Sequence, residues 1–443
     1  MQYVDGLTKM RAYIESRGTK LTINYTKVVG LQGFLKRYLK GKVLKEWMIV
    51  EAKELLGEVF GTHEYFNEKA FRRLLEKHKG RLPLSIRSVR EGTRVPLKNV
   101  LLVIENTDDE FPWLTQWVET MLLRAMWYPK AVCTISTAVR DLEKKYAAIC
   151  GCELNPFFLN DFGARGVSSH ESAEIGGLAH LASGYLGTDT IEAIRYGKLM
   201  YGPTTTGYSV FASEHSTTTI YGKLGEVKAY KNFLTKAPKD KIVSIVIDSY
   251  HDEVAVKELL GNQCKELILG RTAPTVFRPD SGNPVTKSLD VINWLWEIFG
   301  GSVNTNGFKV LNPKVRVIYG DGLNLQVIEQ ILKNLVDNKI SIENICFGMG
   351  GKLLQGIDRD TFEDACKVCS AVINGEEVEI YKDPFGNTGK KSKRGQLKLI
   401  KLDGILTTVK LDEYPEIKDQ LIQFFLDGKV TVKQTFAEIR NTD

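Results

Sequence analysis

A chain of 443 residues, 43% hydrophobic and 26% charged, has ample apolar side chain to close a large core over two or three domains. Its net charge of +6 arises from 60 basic residues interleaved with 54 acidic ones, which reads as a solvated surface and argues against a nucleic-acid partner. No run of eighteen apolar residues occurs and the opening MQYVDGLTKMRAYIESRG has no apolar core, so no membrane helix or secretory signal is expected, the expected address is the cytoplasm, and the seven cysteines, without framework spacing, suit free thiols.

Residues 1 to about 150 mix helices with short strands. AFRRLLEKHKG, residues 70–80, keeps its apolar residues on one helical face and ends at glycine. From about 150 to 375 short β-branched runs alternate with helical segments, the rhythm of successive βα units and hence of parallel strands. Ile242 to Ile247 runs into Asp248, Val315 to Tyr319 into Gly320-Asp321-Gly322, and Asn344 to Phe347 into Gly348-Met349-Gly350-Gly351. After the second run, Leu325, Ile328, Ile331, Leu332 and Leu335 form the stripe of a crossover helix. Polar residues at strand C-terminal ends favour a (β/α) barrel over an open doubly wound sheet, which obeys a similar rule. Past Gly395, LKLIKL and ILTTVKL flank Asp403-Gly404 as a hairpin, followed by a helical stretch and TVKQTF. The expected organisation is a catalytic barrel over 151–375 and a discontinuous α+β domain from 1–150 and 376–443.

Several clusters carry chemical potential. Ser213-Glu214-His215-Ser216-Thr217-Thr218-Thr219 either caps a helix around an incidental histidine or presents His215 as acid, base or nucleophile. Arg278-Pro279-Asp280-Ser281-Gly282-Asn283-Pro284 offers a guanidinium to stack on a ring and a carboxylate for sugar hydroxyls or a water-bridged magnesium ion; the same pair also serves as a loop staple. The glycine turns at 320–322 and 348–351 expose backbone amides for phosphate but match neither G-x-x-x-x-G-K-[ST] nor G-x-G-x-x-G. Lys390-Lys391-Ser392-Lys393-Arg394, near Gly386, Gly389 and Gly395, is either an exposed turn or a polyphosphate cradle. Cys366 and Cys369 form a lone CxxC without a second pair, and His170 and His180 fit core or surface positions better than metal ligation.

Read in order, Asn160 to Ser169, Gly187 to Thr190, Gly207 to Val210, Glu214-His215-Ser216, Arg278 to Pro284, Gly320 to Gly322 and Gly348 to Gly351 resemble the nicotinamide phosphoribosyltransferase family. Tyr38 to Val43, Glu105 to Asp108 and Lys382 to Pro384 extend the likeness over nearly the whole chain. It implies an irregular (β/α) barrel of the type II phosphoribosyltransferase kind and a homodimer with active sites at the subunit interface. Its substrates would be nicotinamide, 5-phosphoribosyl pyrophosphate and a coupled ATP, with magnesium. By the same resemblance Phe162 and Arg278 sandwich the pyridine ring, and Asp189 accepts a hydrogen bond from the carboxamide. Asp280, Gly320 and Asp321 hold ribose, with magnesium reaching Asp280 indirectly, while Arg165, Gly350 and Gly351 hold the 5-phosphate. Ser209, Glu214, Asp248 and Arg316 join the substrate-binding set, His215 is phosphorylated by ATP, and Arg17, Arg359, Lys367, Lys382 and Lys390 line the pyrophosphate and ATP phosphates.

The chain departs from the family in several places. It starts at Met1-Gln2-Tyr3, past the usual Asp-Ser-Tyr-Lys segment whose tyrosine closes over the ring from the neighbouring subunit, so weaker nicotinamide binding or a catalytically silent binding dimer enters as an alternative. Asn160, Ala164, Ala365, Met349 and Lys352 are smaller departures. The nearest enzyme alternative is nicotinate phosphoribosyltransferase. Asp189 argues against it, because an ionised carboxylate welcomes an amide donor and repels nicotinate.

Overall fold

The computed structural model describes residues 3–385 and 391–442. The chain divides into two compact units, one of residues 1–134, 197–205 and 358–443, the other of residues 135–196 and 206–357.

The first unit is built on an antiparallel sheet of seven strands. Its order is Glu376–Glu379, Asp364–Ile373, Leu7–Ser16, Val100–Asn106, Leu84–Ser88, Ile422–Leu426 and Lys429–Val430. At the centre Val100–Asn106 is buried on both faces and opens as the continuous apolar run VLLVI, whereas Leu84–Ser88 alternates apolar and polar residues; Tyr13, Ile14, Leu84, Ile86, Leu102 and Ile104 are all sealed in one core with Leu399, Phe424 and Phe425. Antiparallel alternation is therefore missing from Val100–Asn106 but visible in Leu84–Ser88. The helix Glu68–His78 forms where the 70–80 pattern indicates, capped by Asn67 through a bond from the Ala70 amide and stopped by the left-handed backbone of Lys79 and Gly80.

Three expectations need correction. The expected boundary at 375/376 lies too late, since Asp364–Ile373 is threaded between Glu376–Glu379 and Leu7–Ser16, with Tyr13 opposite Lys367 and Ser16 opposite Asp364. The boundary near 150 is too late as well, because the division falls at Thr134/Ile135, inside the 32-residue helix Glu119–Cys150, and residues 197–205 also count with the first unit. In the tail, Leu397–Leu402 and Ile405–Lys410 pair around Asp403 and Gly404, both at positive φ, as their sequence demands. The helical stretch after them is absent: turns occupy most of 411–420, and Ile422–Leu426 joins Leu84–Ser88 as a strand, its aromatic and β-branched residues followed by an Asp427-Gly428 turn.

The second unit is a parallel barrel. Its strands run in the order Gly187–Thr188, Leu159–Asp161, Ile345–Met349, Val315–Tyr319, Thr275–Arg278, Val243–Val246 and Phe211–Ala212, every pair parallel. A bridge between Gly187 and Tyr208, with the Thr188 amide donating to the Tyr208 carbonyl at 2.9 Å, ties the two ends of this order together. The ring is irregular because five of its strands are only two to four residues long. Helices Pro284–Phe299 and Leu325–Asp337 follow two of the strands, and the predicted stripe of the second is wholly buried.

Candidate active site

The polar turns picked out between residues 206 and 357 leave the C-terminal ends of the barrel strands, where a (β/α) barrel gathers its chemistry. They surround a cleft of about 910 Å³ lined by Phe162, Arg165, Asp189, Glu214, His215, Arg278, Asp280, Gly320, Asp321, Gly350 and Gly351. A second cavity of about 530 Å³ shares Phe162 and Asp189 with the cleft and adds Ser209, Ser244 and Arg316. Thus every residue of the barrel unit that the resemblance gives a site role lines one of these two spaces except Asp248, which bonds to His215 and Asp280.

Phe162 lies immediately past Leu159–Asp161, its amide donating to the Met349 carbonyl at 3.0 Å. Its ring occupies the space that side chains on the facing strand ends would fill. A Cβ built on Gly348 would sit 2.0 Å from the ring's Cε2, and one on Gly320 would meet Asp280 Oδ1 at 2.8 Å. The glycines of these turns therefore make room for an aromatic wall, a role that reading them as exposed amides did not foresee. Asn160, one of the departures from the resembling family, is a staple: its Nδ2 donates to the carbonyls of Phe157 at 2.9 Å and Phe347 at 3.1 Å.

Asp161, which sequence reasoning passed over, organises the pocket. Its buried carboxylate accepts the Gly163 amide at 2.8 Å and the hydroxyls of Thr188 at 3.0 Å and Thr190 at 2.7 Å, while its carbonyl accepts the Asp189 amide at 3.0 Å. The only advance signal was a carboxylate inside the Asn160–Ser169 run followed by two threonines at the next strand end. Asp189 receives the hydroxyl of Ser209, and the surrounding walls push its pKa up, a shift that the Ser209 bond opposes.

On the opposite side, Arg278 donates to the Ser213 carbonyl at 3.0 Å and lies 4.0 Å from Glu214, its Nε buried with no hydrogen-bond partner. His215 opens the short helix His215–Thr219, which is closed by a capping box between Glu214 and Thr217. Capping and a placed histidine, which the sequence offered as alternatives, are both realised here. The His215 Nε2 meets Asp248 Oδ1 at 3.0 Å, and the other oxygen of Asp248 accepts the Asp280 amide at 3.1 Å. The Asp280 pKa is raised, first by burial and further by the like charges of Asp248 and Asp321, against the pull of Arg278 and His215.

Residues 157–429 match the nicotinate phosphoribosyltransferase family and residues 1–86 the N-terminal domain of nicotinamide phosphoribosyltransferase. A Xanthomonas campestris protein named nicotinamide phosphoribosyltransferase is 40% identical over 99% of this chain and 94% of its own length. The chain belongs to the nicotinamide phosphoribosyltransferase family. An Acinetobacter baylyi protein of the same name is 34% identical over 82% of this chain and 76% of its own. The fold is that of the type II phosphoribosyltransferases: a solved nicotinate-nucleotide pyrophosphorylase from Pyrococcus furiosus aligns with TM-score 0.61 at 16% identity, over 98% of this chain and 88% of that one. Human nicotinic acid phosphoribosyltransferase aligns with TM-score 0.57 at 14% identity over the same shares. This family member is accordingly an enzyme, a phosphoribosyltransferase.

Of the cations expected to meet pyrophosphate and ATP, Arg17, Arg359, Lys367 and Lys382 belong to the first unit, although Arg359 and Lys367 fall within the range expected for the barrel. Arg17 follows Leu7–Ser16 and pairs with buried Glu15 at 2.8 Å; Arg359 donates to the Asp364 carbonyl at 3.3 Å. Lys367 reaches the Cys366 carbonyl at 2.9 Å, and the Lys382 amide donates to Ser392 at 2.8 Å. Lys390, Gly386 and Gly389 lie outside the described residues. The three described cations of the basic run are each matched to a carboxylate: Lys391 to Asp383 at 3.0 Å, Lys393 to Glu15, and Arg394 to Glu379 at 3.3 Å. His180 is a core residue stacked on Tyr185, and Cys366 and Cys369 are buried in Asp364–Ile373. Among the described residues no helix is long and apolar enough to cross a membrane.

Proposed function

We propose that this enzyme joins nicotinamide to 5-phosphoribosyl pyrophosphate, giving nicotinamide mononucleotide and pyrophosphate in NAD salvage. One observation carries the reading: an aromatic ring, a guanidinium and a carboxylate line one cleft together with sugar-type carboxylates and glycine turns. The names of the Xanthomonas and Acinetobacter relatives support it. In this scheme Phe162 and Arg278 hold the pyridine ring and Asp189 accepts its amide N–H. The ring nitrogen's lone pair forms the bond to the anomeric carbon as the carbon–oxygen bond breaks, and that electron pair leaves with pyrophosphate. Asp280, Asp321 and Gly320 hold ribose, so that the nucleophile lies in line with the leaving group.

Magnesium fits the donors present. Asp280 is crowded by two further carboxylates that a cation would relieve, and such hard oxygens suit an ion shared with substrate phosphates. When bound, it would neutralise charge on the departing pyrophosphate. Asp280 would hold it through water.

ATP coupling is part of the proposal. With Nε2–H held by Asp248, His215 keeps the Nδ1 lone pair free to take the γ-phosphoryl group as ADP leaves. Arg17, Arg359, Lys367, Lys382 and Lys390 would neutralise the phosphates. A homodimer with active sites at its interface is supported by the exposed apolar side chains of Tyr208, Val210, Phe211, Ile220, Tyr221 and Leu224. A cytoplasmic address completes the picture.

The test is mass-spectrometric detection of product from nicotinamide or nicotinate with phosphoribosyl pyrophosphate and magnesium, with and without ATP. Nicotinamide mononucleotide is expected, with acid-labile phosphate on His215 that His215→Ala removes. Product from nicotinate alone would overturn the role of Asp189, and Asp189→Ser is expected to admit nicotinate while losing nicotinamide.

A further inference from the structure

We propose that Lys352 is an additional ligand of the substrate's 5-phosphate, an inference that rests on reading the cleft as a phosphoribosyl site. Three cations line this cleft. Arg278 is engaged with the Ser213 carbonyl and neighbours Glu214. Arg165 and Lys352 have no hydrogen-bonded or ion-paired partner among the described residues. The carboxylates Asp280 and Asp321 gather at the ends of Thr275–Arg278 and Val315–Tyr319, the strands that supply the ribose-type turns. The cleft thus has an acidic pole at these strand ends and a second pole of two cations that no acid among the described residues pairs.

The two cations share one backbone contact. A Cβ built on Gly166 would stand 2.9 Å from the Gly351 Cα, so the turn Ala164–Gly166, which carries Arg165, packs directly on the residue before Lys352. Lys352 itself is exposed, and its stem lies along Gly356: a Cβ there would fall 2.9 Å from the Lys352 Cα and 3.2 Å from its Cδ. Gly356 also lines the cleft, so the absence of its side chain leaves the lysine a path along the wall.

A phosphate dianion matches this pole. A guanidinium provides a planar fork, a lysine a mobile point charge, and the two together neutralise what glycine amides alone would only solvate. Pyrophosphate belongs to the acidic pole, where a bridging cation would accompany it. Lys352 therefore serves the 5-phosphate, away from the bonds that change.

The experiment is calorimetric titration of the full chain and of Lys352→Ala with nicotinamide mononucleotide, with nicotinamide riboside, which lacks the phosphate, and with pyrophosphate. Lys352→Ala is expected to bind the mononucleotide about tenfold more weakly, the loss of one charge-assisted contact, and the riboside and pyrophosphate unchanged. Lys352→Arg should keep most of the affinity, and Gly356→Val, which displaces the stem, should lose part of it. In turnover the KM for phosphoribosyl pyrophosphate should rise about tenfold with kcat held within about twofold. Unaltered mononucleotide affinity in Lys352→Ala, an equal loss on the riboside, or a loss confined to pyrophosphate would each overturn the proposal. Failure of the unmodified chain to bind the mononucleotide would instead sink the functional reading beneath it.

Discussion

In the antiparallel unit Lys130 and Asp364 meet at 2.8 Å with side chains 0% and 1% exposed, and Ser16 completes the group by accepting from Lys130 and donating to Asp364. In the barrel Asp280 sits among Asp248 and Asp321, its ionised form disfavoured by burial and by those neighbours. The first arrangement neutralises charge within the fold; the second leaves charge in excess, to be neutralised by something that arrives. A buried carboxylate is thus a structural part in one unit and a functional part in the other, and the two should answer mutation differently.

The sharpest break of that contrast is Lys130→Met. Leaving Asp364 buried and unpaired should cost about 3–5 kcal/mol in urea unfolding, and replacing both partners with apolar residues should restore much of it. A loss below about 1 kcal/mol would mean that the pair is not structural.

In the barrel, Asp280→Asn should lower kcat/KM by about 10²–10³-fold while leaving the protein as stable or more stable at pH 7. The sign follows from the direction of the shift. A carboxylate whose folded pKa is raised destabilises the fold above that pKa, and the penalty disappears as pH falls and the group protonates. The stability gap between wild type and Asp280→Asn should therefore close on acidification; a gap that widened would refute the excess-charge reading.

A smaller effect is expected from Gly348→Ala, whose methyl must displace the Phe162 ring. Overpacking of about 1–3 kcal/mol should appear as a nicotinamide KM raised roughly ten- to hundredfold, with phosphoribosyl pyrophosphate affected far less. Smallest is Ser209→Ala. Losing one hydrogen bond, about 1 kcal/mol, should raise the nicotinamide KM roughly fivefold. Because that bond holds the Asp189 pKa down, the acid limb of nicotinamide binding should also move to higher pH, and an unmoved limb would remove Asp189 from base recognition.

How much of this could be read beforehand differed between the units for a physical reason. Parallel strands buried on both faces announce themselves as β-branched runs ending in polar turns, so Val315–Tyr319 and the turn after it were legible to the residue. Asp403-Gly404 was legible because a two-residue turn is local. The pairing of Asp364–Ile373 with Leu7–Ser16 spans some 350 residues and leaves no periodic trace, which put the domain boundary too late. Lys393 and Glu15 illustrate the same blindness: in a basic run that read equally as an exposed turn or a phosphate cradle, Lys393 is matched to a carboxylate far along the chain. In the barrel the residue types of the cleft were legible, but not the use of Gly348 as space for a ring, nor the office of Asp161, because both depend on which strand end faces which.

Asp161 has a further consequence. By binding the Gly163 amide on one side and two threonine hydroxyls on the other, it fastens the strand end that carries Phe162 to the turn that carries Asp189. The gap between ring and carboxylate is thereby fixed before any base enters. An entering base need not spend its small binding energy on freezing loose walls, and a ligand with few atoms can be held well because the entropy of ordering its pocket was lost when the chain folded.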